Sequence, residues 1–317
     1  MFFVVSTLLS AAVFAQQNIQ LNAIQVSPHV YYFQGEAGQA SYANQGFMSN
    51  AGFVVTSQGI LVFDGLATPV LGQAMIEAIR RVSSVPITRL IVSHYHADHF
   101  YGAQAFKDLG VEIWGHKNGQ IYLNSDAAQA RLTQRKQELS PWINAQTKLT
   151  AADKWLSFDT SKSLAFQMGE VRCRLIDSSG AHSDEDLMLY VENDATLFAG
   201  DLFFSGRIPF VGNADSRVWL LALDQMLAQS AKIIIPGHGA ASSNPMQDIQ
   251  LTRQYLLYLR EKMGAAVQEL QSFEDAYQQT DWSAFKDYPA FQSANRLNAY
   301  GTYLLMEKEL LQKEKIK

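Results

Sequence analysis

The chain has 317 residues, of which 48% are hydrophobic and 17% charged, with a formal net charge of −5 and a single cysteine. This is globular composition with enough apolar residues for a sizeable core, and it argues against a nucleic-acid partner. With Cys173 alone, intramolecular disulfides and cysteine-rich zinc modules are excluded, so any metal must take histidine and carboxylate ligands.

The first residues read MFFVVSTLLSAAVFAQQNIQ. Phe2 to Phe14 form an apolar stretch too short to span a bilayer. Val13-Phe14-Ala15 closes it in an approximate small-x-Ala pattern, although no Lys or Arg precedes it. The expectation is a signal peptide over residues 1–15 and an exported, periplasmic protein. No other apolar run reaches ~18 residues, so the mature chain is expected to have no membrane span. Residues 16–317 are expected to form one domain.

Residues 24–65 are β-rich, with HVYYFQG and NAGFVVTSQGILVFDG as short β-branched and aromatic runs. Ser57-Gln58-Gly59 makes a turn between two of them. EAGQASYANQGFMS, between the runs, reads as a mobile hairpin or loop in which Tyr42, Phe47 and Met48 could form an apolar flap. The spacing of Val70, Ala74, Ile76 and Ile79 predicts a helix over 69–82, opened by a proline. TRLIVSH is a short buried strand, YGAQAFKDLG a helix ended by Gly110, and VEIWGH the next strand. Residues 118–140 are polar at helical spacing, limited by Pro141. Strands return over 155–204, then SRVWLLALDQMLAQS is a helix and KIIIPGHG a buried strand. After Pro245 the segment 245–317 reads as two or three helices. No short solenoid repeat is present. Each half runs β-rich and then α/β, which suggests a sandwich of two similar halves.

Residues 91–99, IVSHYHADH, place His94, His96, Asp98 and His99 just past a strand. Neutral imidazole and carboxylate are ligands for zinc or iron. His182 follows LIDSSGA, Asp201 follows TLFAG, and His238 follows KIIIPG. Each is an apolar run, a small turn residue and then one ligand-type residue. Ligands gathered from several strand ends are how α/β scaffolds build sites.

This order of motifs resembles the metallo-β-lactamase superfamily over roughly residues 25–245. Asp64 in ILVFDG and Asp201 in FAGDLFF resemble two further motifs of that family. The resemblance implies an α+β fold, an αββα sandwich with two face-to-face sheets and helices on both outer faces. It also implies two Zn2+ ions, with iron or manganese as other metals of the same donor chemistry. His94, His96 and His182 would hold the first metal. Asp98, His99 and His238 would hold the second, and Asp201 would bridge them. The implied reaction is attack by a metal-bridging hydroxide on an ester, thioester, lactone or amide of a small molecule. Asp98 would orient that nucleophile or move its proton, and Asp64 would orient the ligand loop from behind.

Two departures narrow the resemblance. Zinc β-lactamases of the family carry Cys or Ser where Asp201 stands, which leaves room only for slow promiscuous turnover of β-lactams. Flavodiiron members carry Glu where His96 stands, which favours hydrolysis over iron redox chemistry. SHYHADHFYGAQAF and AGDLFFSGRIPFVGNADS most resemble exported hydrolases of the quinoprotein relay system and Sox-associated groups. A persulfide dioxygenase-like iron enzyme and a metal-binding accessory protein of a periplasmic pathway are the alternatives.

Other residues divide between roles. Arg207 could bind a substrate carboxylate or sulfonate, or form a surface salt bridge. Tyr95 either faces the pocket as a substrate contact or packs below it. His116 is expected to be structural, His29 has no partner evident in sequence, and Cys173 is expected to be a buried small hydrophobe.

Overall fold

The computed structural model describes residues 19–158 and 160–315. The segment 1–15, expected to be a signal peptide, lies outside the described residues.

Two sheets carry the fold. The first runs in spatial order β1 (Ile24–Gln25), β2 (Val30–Phe33), β3 (Ala51–Thr56), β4 (Gly59–Phe63), β5 (Ile87–Ile91), β6 (Glu112–His116) and β7 (Lys154–Leu156). Its first four strands pair antiparallel and the rest parallel. The second sheet contains β8 (Ser163–Met168), β9 (Val171–Asp177), β10 (Leu187–Val191), β11 (Thr196–Phe198) and β12 (Ile233–Ile235) in reverse spatial order. Only β11 and β12 pair parallel there.

The alternation of side chains along each strand explains why the sheets meet. Leu61 and Phe63 of β4 face the same apolar layer as Val171, Cys173 and Leu175 of β9. Ile60 and Val62, on the opposite face of β4, pack instead with the helices outside the first sheet. Burial on both faces is why GILVF reads as an unbroken apolar run. Cys173 is 1% exposed within the layer between the sheets. Met188 of β10 faces outward to the helices of the second sheet.

Outside the first sheet lie α1 (Pro69–Val82), α2 (Ala97–Phe100), α3 (Ala103–Asp108), α4 (Gly119–Leu123) and α5 (Asp126–Glu138). Outside the second lie α6 (Ser216–Ala228), α7 (Pro245–Asp248), α8 (Gln250–Gln268), α9 (Phe273–Gln279) and α10 (Phe291–Lys315). The molecule is therefore the expected αββα sandwich.

Helix α1 starts where Thr68 accepts from Leu71 N at 3.1 Å, with Pro69 in the first turn. Its buried face is Leu71, Met75, Ile76, Ala78 and Ile79, one position round from the expected stripe through Val70 and Ala74. The single helix expected over 118–140 is two helices. Ser125 breaks it, because its hydroxyl accepts from Ala128 N and caps α5.

Helix α1 crosses the chain leaving α2 through glycines. A Cβ at Gly72 would strike the carbonyl of Gly102, and one at Gly102 would strike that of Gly65. Gly65 N also donates to the His99 carbonyl at 2.7 Å. This close crossing sets the distance between the end of β4 and the turn that carries the clustered histidines. Alanine ordinarily favours a helix interior over glycine by about 1 kcal/mol. Here Gly72→Ala should do the reverse and destabilise by about 1–3 kcal/mol through overpacking. Urea denaturation checks it, and a stabilised variant would refute the crossing.

Candidate metal centre

The candidate ligands sit at strand ends. His94, His96, Asp98 and His99 follow β5, and His182 lies in the β9–β10 connection. Asp201 follows β11 and His238 follows β12. The structure brings them together in two adjoining groups: His94, His96, His182 and Asp201, and Asp98, His99 and His238.

Asp201 joins the groups. Its Oδ2 lies 3.4 Å from His182 Nε2 and 3.8 Å from His94 Nε2. Its Oδ1 lies 3.0 Å from His99 Nε2 and 3.3 Å from His238 Nε2. Asp98 Oδ2 lies 3.3 Å from His238 Nε2 and 3.6 Å from His99 Nε2, and His182 Nε2 lies 3.0 Å from His96 Nδ1. Tetrahedral zinc with bonds of about 2.0–2.2 Å sets its ligands about 3.3–3.6 Å apart. The observed separations bracket that range. His94 Nε2, His99 Nε2 and Asp201 Oδ1 are also buried without a hydrogen-bond partner. Buried polar atoms are normally satisfied, so these orphans fit a cation between them.

The outer nitrogens are held from behind. His99 Nδ1 lies 2.9 Å from Asp64 Oδ2, and His238 Nδ1 lies 2.7 Å from the Met48 carbonyl. Ser93 donates its hydroxyl to Asp64 Oδ2 at 2.8 Å and its backbone N–H to Oδ1 at 2.7 Å. Its oxygen then accepts from His94 Nδ1 at 2.9 Å. Each acceptor places the proton on Nδ1 and leaves the Nε2 lone pair facing inward. Burial holds His182 down to about 3, so it is neutral and ready to ligate. Burial also opposes protonation of His99, but Asp201, Asp98 and Asp64 outweigh it and raise this group well above the usual histidine range. A cation entering there displaces a proton.

Close approach shapes the second group as well. A Cβ at Gly237 would collide with Asp201 Oδ1, so only glycine lets the β12 end pass the carboxylate. Asn50 clamps the same turn: its N–H donates to the Gly237 carbonyl at 2.7 Å and its Nδ2 to the Pro236 carbonyl at 2.8 Å.

Two residues left between alternative roles are narrowed. Tyr95 is not a pocket residue. It is 1% exposed and packs against Phe100 and Trp155, because the chain turns after β5 and aims this side chain into the core. Among the described residues Arg207 makes no surface salt bridge, being 4% exposed and hydrogen-bonded to the Gly38 carbonyl at 3.3 Å. The segment 35–49 is a series of turns rather than a hairpin, with Asn44 Oδ1 accepting from Ser41 N and Gly46 N. Tyr42 packs on Trp142 at 5.5 Å, Phe47 joins the outer core, and Met48 contributes its carbonyl. His116 stacks on Phe158 and lies apart from both ligand groups.

The sequence matches a known family, described as "Metallo-beta-lactamase superfamily", over residues 44–238. The chain belongs to the metallo-β-lactamase superfamily. Within the superfamily, metallo-beta-lactamase type 2 of Bacillus sp. (strain 170) is 25% identical over 226 residues, covering 69% of this chain and 75% of that protein. Linear primary-alkylsulfatase of Pseudomonas sp. (strain ATCC 19151) is 20% identical over 236 residues, covering 65% of this chain and 44% of that protein. Among solved structures, the sec-alkylsulfatase Pisa1 from Pseudomonas sp. has a TM-score of 0.69 at 14% identity and covers 89% of this chain. This chain spans only 50% of that one. A metallo-beta-lactamase from Pontibacter korlensis has a TM-score of 0.57 at 21% identity, covering 75% of this chain and 98% of that one.

Sequence reasoning missed Ser93, Asn50, the Met48 carbonyl and Glu185. Ser93 alone had a signal, since it adjoins His94 and faces the motif aspartate. Glu185 accepts from Tyr95 N at 3.1 Å, fixing the turn between His94 and His96. Burial pushes its carboxyl up to about 7. The native state therefore favours the neutral acid. The stability this gives is present below the ordinary value of 4.5 and is lost as pH rises through 7. Glu185→Gln should flatten that loss, on the order of 2–3 kcal/mol, in denaturation curves between pH 4.5 and 8. An unchanged slope would refute the burial argument. His116→Ala should leave metal content unchanged while Asp64→Ala lowers metal affinity about 10–100-fold. Elemental analysis after dialysis reads both.

Proposed function

We propose that the protein is an exported, periplasmic dizinc hydrolase that cleaves an ester, thioester, lactone or amide of a small molecule. The observation that carries this reading is the Asp201 carboxylate, with one oxygen toward each ligand group. The donors are nitrogen and oxygen only, which suits zinc and also accommodates iron or manganese. When bound, two divalent cations acidify water and polarise the scissile bond.

The chain's own residues supply the rest. His94, His96, His182 and Asp201 would hold one cation, and Asp98, His99 and His238, with Asp201 shared, would hold the other. Burial pushes the Asp98 carboxyl up, but His99 and His238 together outweigh it and hold the group below the usual carboxylate range. Asp98 is therefore an anion, and it would orient the attacking water or move its proton. Its side chain is 16% exposed against 4% for Asp201, so it is the carboxylate of the set more open to substrate. Water oxygen bonds to the carbonyl carbon, the bond to the leaving group breaks, and the proton held by Asp98 passes to that group.

The motifs around the ligands support placement with the exported hydrolases resembling the quinoprotein relay system and Sox-associated groups. Asp201, where β-lactamases carry Cys or Ser, supports substrates other than β-lactams.

Zinc-replete protein should hold two zinc ions per chain and hydrolyse generic esters or thioesters until a chelator is added. Metal-free but folded protein from such cells would sink the reading. Asp98→Ala should lower kcat by about 100- to 10,000-fold with little change in melting temperature. Near-wild-type turnover would reject the role given to Asp98.

A further inference from the structure

Helix α10 carries apolar side chains on two opposite faces, and the fold covers one of them. Asn295, Asn298 and Thr302 are buried, and Met306 reaches Gly264 of α8, so this side packs on the body of the protein. At about 100° per residue, Leu297, Tyr300, Leu304 and Leu311 fall on the opposite side, within about 60° of one another. These four are 43% to 58% exposed. Leu297, Leu304 and Leu311 follow a seven-residue spacing, with Tyr300 between the first two. That is the pattern of a seam between two helices.

The patch extends beyond the helix. The Tyr300 ring meets Phe273 of α9 edge-on at 4.9 Å, and Leu270, three residues before Phe273, is 88% exposed. The Tyr303 hydroxyl donates to the Gln271 carbonyl at 2.8 Å and holds that turn against α10. Leu270, Leu297, Tyr300, Leu304 and Leu311 together open on the order of 500 Å2 of surface, as much as the largest apolar patch of an ordinary monomer, and such patches mark contacts. With its polar border the face reaches about 800 Å2, the share each partner gives to a standard interface.

The border selects the occupant. Arg296 donates to Glu274 at 2.7 Å, and Glu307 stands beside Lys308, so the charges around the patch cancel. A lipid surface favours a basic border, whereas this one is neutral on a chain of net charge −5. An identical face approaches a neutral border without repulsion, and it also offers leucines at the matching spacing.

We propose that the outward face of α10 is a two-fold interface with a second copy of this chain. Leu304 is midway between Leu297 and Leu311, so it meets its own counterpart whichever way the two helices run. Asn298, which holds the loop beside the ligand cluster, is on the packed side of the helix, so pairing uses none of the residues of the candidate metal centre.

Analytical ultracentrifugation of zinc-loaded protein at micromolar concentration reads the assembly. Wild-type protein should sediment at twice the mass of the chain. Leu304→Glu should weaken association at least about 100-fold, because pairing would bury two unpaired carboxylates at the two-fold axis. Its zinc content and melting temperature should stay those of the wild type. Leu304→Cys should cross-link two copies under mild oxidation, since Cys173 is buried and offers no competing thiol. Leu257→Cys, at an exposed position on α8 away from the seam, should not. The cross-link keeps the test open if the glutamate variant fails to fold. A wild-type monomer with no cross-link through position 304 overturns the proposal. A dimer that survives Leu304→Glu does so too, because it pairs through another face. Monomeric wild-type protein that floats with phosphatidylcholine vesicles, while Leu304→Glu does not, would assign the face to a lipid surface and reject the second copy.

Discussion

The carboxylate of Asp64 ligates nothing in this site, yet the site is assembled around it. It is 1% exposed at the end of β4, in a left-handed backbone conformation with φ of 64°. Burial raises its proton affinity, and only the nearby donors from His99 and Ser93 act against that. A carboxylate so placed has no water to solvate it, so its donors must come from the protein. Those donors are Ser93, next to one candidate ligand, and His99, itself another. One group thereby fixes the exit of β5, the first turn of α2 and two imidazole orientations. The glycine crossing between α1 and α2 serves the same end from outside, by letting backbone approach backbone where side chains would hold the elements apart.

The two ligand groups draw on both sheets, so the site exists only where the sheets are stacked in register. His94, His96, Asp98 and His99 leave the first sheet, while His182, Asp201 and His238 leave the second. Asn50 spans the seam by hydrogen-bonding the turn after β12 from the start of β3. The apolar layer that includes Phe63, Leu175 and Phe198 is thus more than a source of stability. It sets the spacing at which one carboxylate, Asp201, can face both groups.

Much of this was legible in the sequence, for physical reasons. Doubly buried strands such as GILVF give unbroken apolar runs, and ligands at strand ends follow small residues, so both stand out. What was hidden depends on contacts between distant segments. His29 lies 2.7 Å from Asp194 across 165 positions, and no local pattern signals that pair. Tyr95 was ambiguous because alternation along β5 ends where the chain turns, and the turn decides which way the ring points. The segment 35–49 suggested a flap from its scattered aromatics, whereas it reaches the site through the Met48 carbonyl, which any residue at that position would supply, and through the Ser49 hydroxyl, which donates to the Asp98 carbonyl. The break between α4 and α5 was signalled by Ser125, but a polar helix with few apolar positions gave the pattern little force.

The loop that follows Asp201 is held by a part of the chain that the ligand motifs do not reach. The family match ends at residue 238, at the last candidate ligand. The loop carrying Arg207 and Phe210 lies within that span, but what holds it comes later. Asn298 of α10 is fully buried and bonds the loop backbone, and its Nδ2 also donates to Tyr255 of α8 at 3.1 Å. Gly301 lets α10 press against the Gly212 carbonyl, where a Cβ would collide. The likeness to the sec-alkylsulfatase covers 89% of this chain, more than the residues before α7 can supply, so part of the C-terminal helical segment belongs to the shared fold. The candidate ligands are thereby tied to strand ends, while the loop beside them is set by how α10 packs against α8.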